Sequence, residues 1–379
     1  MLRTFLGFLT RIVILIIVVL VLGLVAISAA YYLIGPILPI TPSMLIRPQE
    51  ALAFTFALMN TDLFKITIFP GFTFVVLYGA VAVLWERKLL AKMQLRIGPL
   101  YAGRFEGILQ PIADVMKLLS KELVIPKVVD RFFFILAPIL TVTIATAAVA
   151  VIPVTERWVI ARSDIGVLVI FAVLAFFPLT ALMAAWSSNS RYPMIGGVRA
   201  LHQLVAYEIP LVLSTITPVV YAGSLDLIEI VEKQSNIWFI LLAPISALTF
   251  YICSLAELER IPFDLPEAEP EVASGWLAEY GSMNFGLVMG VAVYIKLYVL
   301  SALFTTLFLG GWLGYHPLPP EFWFLLKTFT VTTLLIIPRG VYPRLRIDLL
   351  LKQSWAGYLI LALINLAVAA AAVLGGFKP

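Results

Sequence analysis

The chain has 379 residues, 62% of them hydrophobic and only 13% charged, with a net charge of +4 and a mean hydropathy of +1.03. Soluble domains carry roughly 25% charged residues, so this composition excludes an ordinary soluble enzyme and points to a polytopic membrane protein. A single cysteine (Cys253) and two histidines (His202 and His316) exclude an intramolecular disulfide and a four-cysteine iron–sulfur cluster. We expect no bound metal, haem or cluster, and no nucleic-acid partner, because positive charge in membrane proteins sorts to cytoplasmic loops.

A helix needs about 20 apolar residues to cross a bilayer. In chain order the apolar runs predict spans at 12–34, 66–85, 132–153, 165–186, 204–223, 237–256, 285–309, 322–338 and 356–376. Lipid offers backbone groups no hydrogen-bond partner, so each must be helical. The expected fold class is all-α, a polytopic membrane helix bundle of about nine spans plus an interfacial amphipathic helix. Residues 12–34 read as a retained span, since a signal peptide has a shorter apolar core of roughly 7–15 residues. The run at 322–338 is short and contains Lys327. With the first helix starting inside, one side collects 18 of the 26 basic residues, and the positive-inside rule makes that side cytoplasmic. The expected location is the cell membrane, with the N-terminus inside and the C-terminus outside.

Five stretches could carry chemistry. In "WERKLLAKMQLRIGP" (85–99), Lys88, Lys92 and Arg96 share a helical face, and Gly98-Pro99 ends the helix. They read as a positive-inside anchor, which leaves Glu86 at the membrane edge harder to explain. In "RFEGILQPIADVMKLLSKE" (104–122), Phe105, Ile108, Leu109, Ile112, Met116 and Leu119 recur at helical spacing opposite polar residues. That predicts an amphipathic helix in the interface plane, kinked at Pro111, which either only packs or walls the path of an amphiphile entering from the bilayer. In "SNSRYPMIGGVRALHQLVAYEIPLVL" (188–213), Glu208 lies well inside a span and Pro210 frees a backbone carbonyl. A carboxylate at that depth is a proton-relay candidate or a structural hydrogen-bond partner.

The fourth stretch, "AELERIPFDLPEAEPE" (256–271), holds six carboxylates in a cytoplasmic loop. Such dense like charges raise one another's pKa values, so the cluster can share protons near neutrality. Its spacing lacks the glycine and alternating acids of a calcium loop. Ile261, Phe263 and Leu265 alternate with polar residues, and three prolines stiffen the chain, as expected of a docked loop. In the fifth, "PRGVYPRLRIDLLL" (338–351), Arg339, Arg344, Arg346 and Asp348 form an anchor or a docking surface for an acidic loop or soluble partner.

These stretches, in this order over roughly residues 66–370, resemble the H-subunit family of proton-pumping NADH–quinone oxidoreductase (respiratory complex I), which also supplies a membrane component of related hydrogenases. "ERKLLAKMQLRIGP", "SNSRYPMIGGVRALHQLVAYEIPL" and "RIPFDLPEAEPEVASGWLAEY" carry the resemblance, supported by "LQPIADVMKLLSKE" and "PRLRID". It implies a membrane subunit bordering a quinone chamber, with quinone bound at the interface with a partner. Implied partners are peripheral iron–sulfur and quinone-pocket subunits, other membrane-arm subunits and the bilayer. Implied proton-coupling residues are Glu208, Glu257, Glu267, Glu269 and Glu271. The chamber would take Glu86, Arg87, Arg96, Arg199, Arg260, Asp264 and Glu279, and docking Arg339, Arg344, Arg346 and Asp348.

The chain departs from the family pattern in places. Glu259 stands where the family has asparagine. Near "MGVAVY" (289–294) a family glutamate is replaced by Val293 or Ala292, depending on a one-residue gap, and Lys296 follows. We expect Lys296 to point into the bundle within reach of Glu208. Residues 1–65 read as an extra N-terminal span and linker, and 66–379 as the family domain. Two alternatives remain at this stage: the membrane component of an energy-converting hydrogenase, and a stand-alone carboxylate-lined ion transporter.

Overall fold

The computed structural model describes residues 61–103, 107–266, 268–315 and 318–376. The expected span at 12–34, Phe105, Glu267, His316 and both termini lie outside them. The chain divides into two units, Met1–Leu77 and Tyr78–Pro379. In the first, Thr61 caps α1 (Asp62–Thr67) by accepting a hydrogen bond from the Phe64 N–H. The helix α2 (Phe72–Met93) crosses the boundary into the second unit.

The second unit continues with α3 (Gln110–Ser120), α4 (Arg131–Val149), α5 (Gly166–Leu174), α6 (Phe177–Ser187), α7 (Arg191–Ala222), α8 (Leu227–Lys233), α9 (Phe239–Leu242) and α10 (Pro244–Glu257). Beyond the acidic loop come α11 (Glu269–Val272), a 3₁₀ turn Gly275–Leu277, α12 (Ser282–Phe285) and a π-helical stretch Gly286–Ala292 that runs into α13 (Val293–Phe308). The last helices are α14 (Pro320–Ile336), α15 (Pro338–Val341), α16 (Ile347–Gln353) and α17 (Leu359–Leu374). Among the described residues, seven helical stretches are long and apolar enough to cross a membrane, and α10 is a shorter apolar helix. From 66–85 onward every expected span but one has a helix of spanning length; the run at 237–256 is instead broken at Ala243-Pro244 into the short α9 and α10.

The amphipathic helix starts later than its periodicity suggests. Gly107 takes φ +76°, and Pro111 sits in the first turn of α3, where its missing N–H costs nothing. The proline therefore opens the helix and does not kink it. Ile112, Val115, Met116 and Leu119 remain exposed on its apolar face.

α7 packs along α6, α10 and α17. Its start comes very close to two neighbours: a Cβ on Gly196 would lie 2.5 Å from the Gly275 Cα, and one on Gly197 would lie 2.3 Å from the Ala185 Cβ. Two internal prolines, Pro210 and Pro218, leave the carbonyls of Ala206 and Ser214 without their usual helical donors. Each finds a serine from outside the helix. Ser354 donates to Ala206 O, and Ser246 of α10 donates to Ser214 O at 2.8 Å. The carbonyl freed by Pro210 is thus spent on packing and not on Glu208.

α13 is the buried hub, its side chains covered from Ile295 through Phe308. Its hydroxyls are satisfied internally or across to α14: Thr332 donates to Ser301 at 2.9 Å, and Tyr78 lies 2.7 Å from Thr332. The helix ends at Gly310 and Gly311, with φ +68° and +47°. There the Lys327 ammonium, from the middle of α14, donates to the carbonyls of Leu309 (2.7 Å), Gly311 (3.1 Å) and Leu313 (2.5 Å), and sits 4.5 Å over the Trp238 ring.

Candidate functional site

The acidic loop is pinned before it does anything else. Gln203, fully buried on α7, donates through one amide nitrogen to Ala256 O (2.9 Å) and Phe263 O (2.8 Å), bracketing the loop's start. Phe263 and Leu265 are buried, and the Phe263 ring meets Tyr207 edge-on at 5.3 Å. Leu345 N–H donates to Pro262 O at 3.1 Å, and Arg344 pairs with Asp264 at 2.8 Å. The alternation of apolar and polar residues is therefore that of a docked loop.

Docking brings three distant motifs onto one carboxylate. Glu86, 2% exposed near the end of α2, accepts from Arg260 at 2.7 Å and from the Tyr294 hydroxyl at 2.9 Å. Its other oxygen accepts from Arg339. A carboxylate removed from water needs such compensation, because desolvation alone costs several kcal/mol. Two guanidiniums over-compensate it and leave a net positive cluster, and Arg260 also lies 5.3 Å over the Tyr294 ring.

A second buried pair lies deeper. Glu257, the last residue of α10 and 3% exposed, accepts from Lys296 of α13 at 2.8 Å. Lys296 is 5% exposed, and its ammonium sits 4.1 Å over the Phe177 ring. It therefore points into the bundle, as expected, but its partner is Glu257. Glu208, half-buried on α7, lies within electrostatic range of both. The π-helical stretch Gly286–Ala292 before α13 accommodates one extra residue.

Beside this pair is a cavity of about 30 Å³, lined by Glu257, Glu259, Lys296, Trp276, Thr141, Phe177 and Val293 among others. Glu259 adopts φ +51°, and burial pushes its carboxyl up to about 7. The charges of Glu257 and Asp264 add to the rise, and Lys296 opposes it.

Other candidates sit around these two centres. Arg87 pairs with Asp114 of α3 at 2.5 Å, joining α2 to the amphipathic helix. Arg87 and Arg96 line an open concavity of about 570 Å³ with Ile97, Gly98, Pro99, Leu100 and Tyr101. Arg199 pairs with Glu271 at 2.6 Å, and Glu269 opens α11. Glu279 is half-buried between the 3₁₀ turn and α12, apart from both clusters. Arg346 and Asp348 remain exposed and pair with each other, at 3.3 Å. Reasoning from sequence missed Tyr294, Gln203, Trp276 and the placement of Glu259. A buried glutamine and tyrosine at helical spacing give no signal of their own. Glu259 did give one, as the acid that breaks the family's asparagine.

Helices long and apolar enough to span a membrane, with buried carboxylates matched by arginine and lysine under a docked acidic loop, define a polytopic membrane protein with a polar, charge-paired interior. A family model described as NADH dehydrogenase matches residues 64–370. The NADH-quinone oxidoreductase H subunit of Geobacillus thermodenitrificans is 42% identical over 295 residues, covering 76% of this chain and 88% of that protein. Proteins of the same name from Bacillus thuringiensis (43% identical) and Anoxybacillus flavithermus (42%) each cover 78% of this chain and 88% of their own length. The chain belongs to the NADH dehydrogenase family that includes these proteins.

Proposed function

We propose that this chain is the membrane subunit of a multi-subunit NADH–quinone oxidoreductase that walls the quinone site and couples quinone reduction to proton movement. The observation that carries this reading is the convergence of α2, the acidic loop, α13 and α15 on buried Glu86. Quinone is a substrate here. Its reduction takes two electrons, which come from a partner's iron–sulfur centre, and two protons. The open concavity combines two guanidiniums with apolar surface and has the volume of an ordinary small-molecule site, so its chemistry suits a polar head on an apolar ring. The apolar face of α3 flanks the path of the tail from the bilayer.

Glu208, Glu257, Glu267, Glu269 and Glu271 are the proton-coupling carboxylates in this reading. Arg339, Arg344, Arg346 and Asp348 face the peripheral partner subunits, and the loops they occupy face the cytoplasm. Residues 1–65 are an addition to the family domain. The relatives' names give no support to a hydrogenase component or a stand-alone transporter. The test is Glu86→Gln in the assembled complex. Loss of one charge-assisted acceptor unbalances two buried arginines, and quinone reduction should fall about tenfold or more. Electron transfer from the peripheral subunits to a soluble acceptor should persist. An equal fall in both activities, with assembly intact, would refute the role in the quinone site.

A further inference from the structure

We propose that Glu259, Glu257 and Lys296 form one proton-holding station around the small cavity, in which Glu259 exchanges the proton with Glu257 and Lys296 is the positioning residue that holds Glu257. The proposal deepens the coupling reading above and rests on it.

Charge bookkeeping makes the first case. Two carboxylates and one ammonium face the cavity, so one negative charge is in excess. Lys296 is committed to Glu257 at 2.8 Å. The excess charge, or the proton that cancels it, then falls on Glu259. Asp264 adds to the negative field at Glu259 but pairs with Arg344, and Arg260 turns away to Glu86. Glu259 is consequently the carboxyl of the cluster left without an ion-pair partner and free to take up and release a proton.

Unpartnered polar atoms make the second case. Among the described residues, Glu257 Oε2 and Glu259 Oε1 are buried without a hydrogen-bond partner, the Trp276 indole N–H is directed at the Glu259 carboxyl, and all three residues line this one cavity. A cavity of about 30 Å³ has room for at least one water molecule, which needs two to four polar partners. One water there donates to both carboxylate oxygens when both acids are ionised; when Glu259 is protonated, its O–H donates to the water and the water donates to Glu257 Oε2. Transfer is then balanced: protonated Glu259 gives its hydrogen to the water as the water gives one to Glu257 Oε2. One O–H bond breaks and one forms at each oxygen pair, with no change in electrons. Glu257 then carries the proton beside an unchanged ammonium, within range of Glu208.

The two departures from the family pattern meet at this cavity, for Glu259 and Val293 both line it. The carboxylate absent from α13 reappears on the loop across the same space.

The experiment uses the assembled complex in membrane vesicles, reading quinone-linked proton pumping and, by difference infrared spectroscopy across pH, the protonated-carboxyl band. Glu259→Gln should cut pumping by about tenfold or more and remove a carboxyl band that titrates near neutrality. Adding Val293→Glu to that variant returns a carboxylate to the cavity and should restore pumping to within about threefold of wild type. Lys296→Met should move the titration of the remaining carboxyls. Loss of pumping with the band retained and no rescue by Val293→Glu would make Glu259 structural and overturn the proposal. Normal pumping in Glu259→Gln beside a defective Glu257→Gln would also overturn it, leaving the coupling reading intact. Normal pumping in both would remove the coupling reading itself. If Glu259→Gln does not assemble, Glu259→Asp is read instead: a displaced titration supports the station, and an unmoved one refutes it.

Discussion

Lys296 and Glu257 bury a full ion pair where lipid or protein surrounds both. Removing one partner of such a pair strands the other, at a typical cost of about 3–5 kcal/mol. Lys296→Met should therefore lower the thermal stability of the assembled complex, and the double variant with Glu257→Gln should recover most of the loss. A Lys296→Met complex as stable as wild type would mean the pair is solvated. Glu259 gives a pH signature of opposite character. Its folded carboxyl is raised to about 7 from an ordinary value of 4.5. The native state thus binds more protons than the unfolded state between those values, and stability falls as pH rises through that window. Glu259→Gln removes this loss. It should melt higher than wild type at pH 8, with the difference vanishing toward pH 4. The presence of these carboxylates was legible in the sequence, and so was the inward aim of Lys296. Their pairing was not. Glu257 and Glu208 both lie within electrostatic range of Lys296, and only packing shows which of them it pairs with.

At the scale of elements, hydropathy located the spans because each must satisfy its own backbone, and this constraint leaves little freedom. It said less about what interrupts them. Pro210 announced a free carbonyl, but only packing shows that Ser354 closes it and that Ser246 does the same after Pro218. Ser354→Ala should leave Ala206 O unpaired and cost about 0.5–2 kcal/mol. Pro210→Ala supplies an N–H to that carbonyl, so the double variant should be more stable than Ser354→Ala alone. Thermal denaturation of the purified complex measures both, and equal melting of the single and double variants would contradict the pairing. Pro111 illustrates the reverse error. Its sequence context looks like a helix interior until Gly107 ends the preceding segment.

For the whole molecule, basic-residue asymmetry predicts that 87–131 and 310–319 lie on opposite sides of the membrane. Tyr101 and Tyr315 are 97% and 86% exposed, and the native cysteine is buried. Cysteines placed at these two positions should react with a membrane-impermeant reagent from opposite sides, Tyr101→Cys from the cytoplasm. Labelling of both from one side would refute the topology. The same expected topology would put the Glu86 cluster, the acidic loop and the exposed face of α3 on the cytoplasmic side, where the proposed peripheral partner docks. That shared placement is why motifs so far apart in sequence can serve one site.

The lysine in α14 bears on how the chain enters the membrane. A lysine near the centre of a lone helix costs roughly 2.5–3.5 kcal/mol on insertion scales, and α14 belongs to one of the least hydropathic of the candidate spans. Its three carbonyl acceptors and the tryptophan beneath it all precede it in the chain. They have left the ribosome before Lys327 does. The expected consequence is that α14 inserts efficiently only together with α13, whose end supplies the carbonyls that take up its charge.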